Sequence, residues 1–254
     1  MTSKLFVAIC CLLIALGAPD ARAEQPSLIV VVSVDQLRRD RLDADLPGGL
    51  GRVLRQGRVF VNASLNHAVT STCPGHASIL TGVNPGRAGI PGNSFIDKES
   101  WSSRYCVEDE NAEYGVFGRE EIRSPRSLRV TTLGDWLQSR YPEGKVYGVA
   151  GKDRSAITMA GHHADAAFWF DQDRGQFTSS GYYIDGLPDY VLAVNAEVPL
   201  AEGGLADLSD ARAWEEDSAV FRLAKRIIEA EDLGTDGSPD LLALGLSATD
   251  HVGH

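Results

Sequence analysis

Four short apolar runs, separated by helical patterns, restrict the folds open to this chain. Leu28-Ile29-Val30-Val31-Val32-Ser33-Val34 is a continuous β-branched stretch, the pattern of a strand covered on both faces in a parallel sheet. Val146-Tyr147-Gly148-Val149-Ala150, Ala166-Ala167-Phe168-Trp169-Phe170 and Leu241-Leu242-Ala243-Leu244-Gly245-Leu246 are three more such runs. A helix is predicted around Thr132 to Arg140, stopped by Pro142 and Gly144. Val220, Leu223, Ala224, Ile227 and Ile228 repeat at helical spacing and form one amphipathic face, ended by Gly234. Strands alternating with helices predict an α/β, doubly wound fold: a mostly parallel sheet flanked by helices. The stretches 94–130 and 172–212 are weakly periodic and rich in turn residues, and are read as excursions over the functional face.

The first 23 residues are expected to lie outside this fold. Lys4 precedes an apolar stretch from Leu5 to Leu16, and Ala21-Arg22-Ala23 supplies a small-residue cleavage site. This is the pattern of a secretory signal, with a retained membrane anchor as the alternative. The apolar run is short of the roughly 20 residues that span a bilayer. Residues 24–254 are then the folded part, secreted or periplasmic, with no membrane contact after cleavage. Of the 4 cysteines, Cys10 and Cys11 fall in the signal. Cys73 and Cys106 remain, either as one disulfide or as two unpaired buried thiols. A zinc site built from cysteines is excluded by that count. The hydrophobic fraction of 43% and charged fraction of 23% exclude a disordered chain. A net charge of −11 excludes a general nucleic-acid binder, which needs a basic face to displace phosphate counterions.

In open α/β sheets, chemistry gathers beyond the carboxyl ends of the strands, and polar clusters sit there in this sequence. Asp35 directly follows the first run, as a metal ligand or the cap of a following helix. In Thr70-Ser71-Thr72-Cys73-Pro74-Gly75-His76, Pro74 suits the first turn of a helix. Thr72 then lies at a helix N-terminus, where unpaired N–H groups favour an anion. A hydroxyl there can act as a metal-activated nucleophile, or it can simply cap the helix. Lys152 and Arg154 follow the second run, where two cations can grip a phosphoryl dianion or form a solvated turn. Asp250 and His254 follow the fourth run, four residues apart, so that one helical turn places both on one side. Carboxylate and imidazole are ordinary zinc ligands.

Together these motifs resemble the alkaline phosphatase superfamily, and within it the phosphate-irrepressible alkaline phosphatases that use a threonine nucleophile. The resemblance rests on Val32 to Asp40, Thr70 to Gly82, Gly92-Asn93, Tyr105 to Asp109, Gly151 to Arg154, Gly161 to Ala166 and Ser247 to His254. It implies an alkaline phosphatase-like fold and a site with two Zn2+ ions. Thr72 matches the nucleophile that becomes a phosphothreonine. Asp35 and Thr72 match ligands of one zinc, and Asp250 and His254 ligands of the other. Asn93, Lys152 and Arg154 match contacts to the substrate phosphoryl group. Two metals about 4 Å apart can stabilise the attacking and leaving oxygens of an in-line displacement.

The implied function is a secreted phosphomonoesterase acting on small phosphate monoesters, with no nucleic acid as a regulatory target. A monoester carries nearly two negative charges and a diester one, so two cations at Lys152 and Arg154 favour the monoester. A phosphodiesterase or nucleotide pyrophosphatase of the same superfamily is the alternative. Cys73-Pro74-Gly75 does not match the C-x-P-x-R of sulfatases. The resemblance also calls for a further Asp-His pair and a further His downstream of His254. The chain is therefore expected to be an N-terminal fragment, and a non-catalytic anion- or metal-binding piece is the reading from a different class.

Overall fold

The computed structural model describes residues 25–197 and 210–253. Seven strands are present among them: β1 (Leu28–Val34), β2 (Ser94–Ile96), β3 (Ser103–Tyr105), β4 (Val146–Ala150), β5 (Ala166–Asp171), β6 (Gln176–Thr178) and β7 (Asp240–Leu246). The α-helices are α1 (Gly48–Gln56), α2 (Thr72–Thr81), α3 (Pro85–Ala88), α4 (Leu133–Arg140), α5 (Asp153–Ala160), α6 (Asp189–Glu197), α7 (Asp210–Ala230) and α8 (Ala248–Gly253). The main sheet runs β1-β7-β4-β5-β6, with every pairing parallel except β5 with β6. The antiparallel β2–β3 hairpin stands apart within the first excursion.

Helices cover both faces of this sheet, as expected for a doubly wound fold. Phe168, Phe170, Leu242, Leu244 and Leu246 face the α7 residues Val220, Leu223 and Ile227 in one buried cluster. On the other side, Ala150, Ala167 and Trp169 pack with Cys73 and Ala77 of α2 and with Ala156 and Ile157 of α5. Gly148 lets α5 press onto β4, because a Cβ there would lie 2.7 Å from the Ala156 carbonyl oxygen. The α4 start is fixed by a capping box, in which Thr132 and Asp135 satisfy each other's backbone N–H.

One expectation needs correction. The unbroken apolar run of β1 pointed to a strand covered on both faces, yet Val30 is 48% and Val32 46% exposed. β1 is the edge of the sheet: on the face of these valines only the strand ends, Leu28 and Val34, pack on a buried cluster, whereas Ile29 and Val31 pack on another cluster across the strand. The central strands β4, β5 and β7 are buried along their whole length. The signal-like segment 1–23 lies outside the described residues. Among those that are described, no helix is long and apolar enough to cross a membrane.

Candidate active site

The carboxyl ends of β1, β4 and β7 open into a cleft of about 770 Å³, lined by Asp35, Thr72, Asn93, Lys152, Arg154 and Asp250 among others. Every sequence-selected site residue within the described region therefore meets in one place. His254 lies outside the described residues.

Asp35 ends β1 in a turn, not a helix, so the capping alternative does not apply. Its backbone is pinned from both sides. Its N–H donates to the Leu246 carbonyl at 2.9 Å, and its own carbonyl accepts from the Thr249 hydroxyl. The buried carboxylate faces His76 Nε2 at 3.2 Å and Lys152 Nζ at 3.2 Å. Burial pushes the Asp35 carboxyl up, but His76 and Lys152 outweigh it and hold it below the usual carboxylate range.

Thr72 is the first residue of α2, and Ser71 precedes it without a side-chain capping bond. The N–H of Cys73 is instead met by the Asn93 side-chain oxygen at 2.8 Å. Asn93 is held in turn, since its backbone oxygen accepts from the Cys106 N–H at 2.9 Å. Cys73 and Cys106 form a disulfide, which settles the alternative the sequence left open. His76, one turn beyond Thr72, donates from Nδ1 to the Thr72 carbonyl at 2.8 Å. It links the first turn of α2 to Asp35.

Lys152 is buried, not part of a solvated turn. Its ammonium lies between the carboxylates of Asp35 and Asp250 and is bonded to both. Asp250 sits in α8, whose start is capped from α7: Asp217 accepts from the Ser247 N–H at 2.8 Å and the Ala248 N–H at 3.2 Å. Arg154 faces the same cleft and hydrogen-bonds to the Tyr105 hydroxyl at 3.1 Å. Tyr105, Asp153 and Asp217 carry these arrangements and were not singled out from the sequence.

The donors suit a divalent cation: two carboxylates, from Asp35 and Asp250, converge on a position that already holds a positive charge. The hydroxyl of Thr72 opens on the same cleft, and hard oxygen donors of this kind bind divalent metals. Among the described residues, no three His, Cys, Asp or Glu side chains form a group that could hold a metal ion.

Comparison with known proteins places the chain among alkaline phosphatase-like relatives. The chain is 34% identical to the alkaline phosphatase PhoK of a Sphingomonas species, over 91% of this chain and 48% of that protein. It is 30% identical to a protein of Myroides odoratus named calcium-transporting ATPase, over 99% of this chain and 56% of the relative. The crystal structure of the alkaline phosphatase PafA superposes with a TM-score of 0.80 at 30% identity, covering 91% of this chain and 54% of that one. A mutant of that enzyme, substituted at one threonine, one asparagine, one lysine and one arginine, matches with the same TM-score of 0.80. The chain spans about half the length of the curated relatives it matches. The sequence profile of the type I phosphodiesterase / nucleotide pyrophosphatase family matches residues 29–254, and the chain belongs to that family, within the alkaline phosphatase superfamily.

Proposed function

We propose that this protein is an exported, zinc-dependent phosphomonoesterase that works through a phosphothreonine at Thr72. The observation that carries the reading is the convergence of Asp35, Thr72, Asn93, Lys152, Arg154 and Asp250 on one cleft. The PafA mutant adds support. Its four substituted residue types follow the same order as Thr72, Asn93, Lys152 and Arg154, with the same separation within each pair.

The chemistry follows from the residues. Thr72 opens α2, where the helix dipole favours negative charge on its oxygen. Its Oγ1 forms a bond to phosphorus as the bond to the leaving oxygen breaks, and the hydroxyl proton ends on the departing alcohol. Water then attacks phosphorus, releasing inorganic phosphate and restoring the threonine hydroxyl. Asn93 and Arg154 hold the equatorial oxygens, where negative charge accumulates. Lys152 would join them if other cations engaged Asp35 and Asp250, the two carboxylates it is bonded to. Zinc held by Asp35, Thr72, Asp250 and His254 would supply Lewis acidity to the attacking and leaving oxygens.

Quenching with acid during turnover of a 32P-labelled aryl phosphate tests this reading. The label is expected on Thr72 and is expected to vanish in Thr72→Ala. A label on Ser71 or Thr70 overturns the assignment. The family description favours a second reading, hydrolysis of diesters or nucleotide pyrophosphates. Lys152 is balanced by two carboxylates here, which leaves Arg154 as the cation facing the cleft and is compatible with a singly charged phosphoryl group. A higher kcat/KM for a methyl aryl diester than for the monoester would select that reading.

A further inference from the structure

Arg154 faces the cleft, yet its guanidinium is oriented by a neutral group. Tyr105, the last residue of β3, accepts from Arg154 Nη1 at 3.1 Å and donates its own proton to Asp153 Oδ1 at 2.6 Å. The hydroxyl therefore uses its donor on one partner and its acceptor on the other. The nearest carboxylate is matched elsewhere. Asp153 Oδ2 accepts from Arg123 Nε at 3.0 Å, whereas Arg154 Nη1 stands 3.9 Å from Oδ1. The Arg123 guanidinium also lies 5.1 Å from the centre of the Tyr105 ring and supports it as a cation–π contact. Among the described residues, the Arg154 side chain makes no other hydrogen bond, and its Nε is buried without a partner.

We propose that Tyr105 is a positioning residue: its hydroxyl aims Arg154 at the phosphoryl group, while Arg123 takes up the charge of Asp153 and leaves that of Arg154 for the substrate. This rests on the phosphate-site reading above. An arginine held by a carboxylate would be equally well oriented but already neutralised. A phenol supplies the direction and leaves the charge. Burial and the neighbouring Asp153 keep the Tyr105 hydroxyl protonated, so it remains neutral. The same short strand leads into Cys106, which is bonded to Cys73 beside Thr72 and to Asn93. Tyr105 and Cys106 thus tie three phosphate-facing residues to one point.

The test is binding of inorganic phosphate to the purified chain by calorimetry, in wild type, Tyr105→Phe, Arg154→Ala and the double variant. Phenylalanine keeps the ring under Arg123 and removes only the hydroxyl. Tyr105→Phe is expected to weaken phosphate binding about tenfold, and Arg154→Ala further still. The double variant is expected to match Arg154→Ala, because a positioning group has no effect once its target is gone. Wild-type affinity in Tyr105→Phe, or a full additional loss in the double variant, overturns the proposal while leaving the phosphate site standing. Undiminished binding in Arg154→Ala, or no binding by wild type, overturns the phosphate-site reading itself. Thermal unfolding of Tyr105→Phe separates folding from aim. A wild-type midpoint with weakened binding supports positioning, and a large drop in the midpoint with proportionate loss of binding sites overturns it.

Discussion

Cys73 is bonded through its sulfur to Cys106 and through its backbone N–H to Asn93, and Cys106 donates its own N–H to the Asn93 carbonyl. One covalent link thus holds the start of the Thr72 helix against the loop that carries Asn93. The two cysteines are 33 residues apart, and both are fully buried. Closing a loop of that length removes unfolded-state entropy worth about 3–4 kcal/mol. Replacing both by serine is expected to lower unfolding free energy by about that amount and to weaken phosphate binding. Denaturant titration with and without reductant checks the first effect. An unchanged midpoint would show that α2 is held by packing alone.

Asp217 gives a pH dependence of known sign. Burial, with help from Glu216, pushes its carboxyl up to about 6, against the Ser247 and Ala248 N–H groups that lower it. The folded chain therefore binds more protons here than the unfolded chain between about pH 4 and 6. This contribution to stability is present at acid pH and is lost as pH rises through that window. Asp217→Asn keeps an oxygen for the two N–H groups and removes the titration. The variant is expected to gain about 2 kcal/mol relative to wild type between pH 4.5 and 7. Urea unfolding of both proteins at the two values measures the difference. A relative loss for Asn at pH 7 would mean that the charged carboxylate is the better cap.

The sheet was readable because β4, β5 and β7 are buried throughout and so are apolar throughout. Predicted runs 28–34, 146–150, 166–170 and 241–246 differ from the observed strands by at most one residue at either end. β6 escaped notice because three residues, Gln176–Thr178, carry too short a pattern, and they pair antiparallel at an edge. The residues that line the cleft were readable where a polar residue follows an apolar run directly, as Asp35 does, or after one glycine, as Lys152 does. The groups that hold those residues were not. Tyr105 reaches Asp153 across 48 positions, and Asp217 reaches Ser247 across 30. Nothing local in either segment announces a partner that the fold alone supplies. The exposed valines of β1 are a related case, since an apolar run reports what a strand is suited to and not what lies beside it.

Lys152 occupies the place of a cation between Asp35 and Asp250, so its removal tests the metal assignment. Removing the ammonium of a buried ion pair destabilises the fold because it leaves negative charge that the pair had balanced. Lys152→Ala is expected to lower the melting temperature sharply in the presence of a chelator. Added zinc is expected to restore more stability to the variant than to wild type, because the two carboxylates then have no competing ammonium. Thermal melts in chelator and in zinc give the comparison. No zinc response in either protein would remove Asp35 and Asp250 from the ligand set.

The pairing of Lys152 with Arg154 decides between the two proposed substrates. If both cations meet a doubly charged phosphoryl group, replacing both with alanine harms monoester hydrolysis far more than diester hydrolysis. Losing charge-assisted hydrogen bonds in a desolvated site costs about 2–4 kcal/mol of transition-state stabilisation, or roughly 30- to 1000-fold in rate. A diester presents an esterified oxygen at one of these positions and is expected to lose much less. The measurement is kcat/KM for an aryl phosphate and for its methyl diester, in wild type and in the double variant. Equal losses would mean that the pair serves folding or general anion attraction. Because Lys152 is balanced by Asp35 and Asp250 when no metal is bound, the monoester preference is also expected to grow with zinc occupancy. A preference for the diester that persists at saturating zinc would identify Arg154 as the sole phosphoryl cation and the protein as a diesterase.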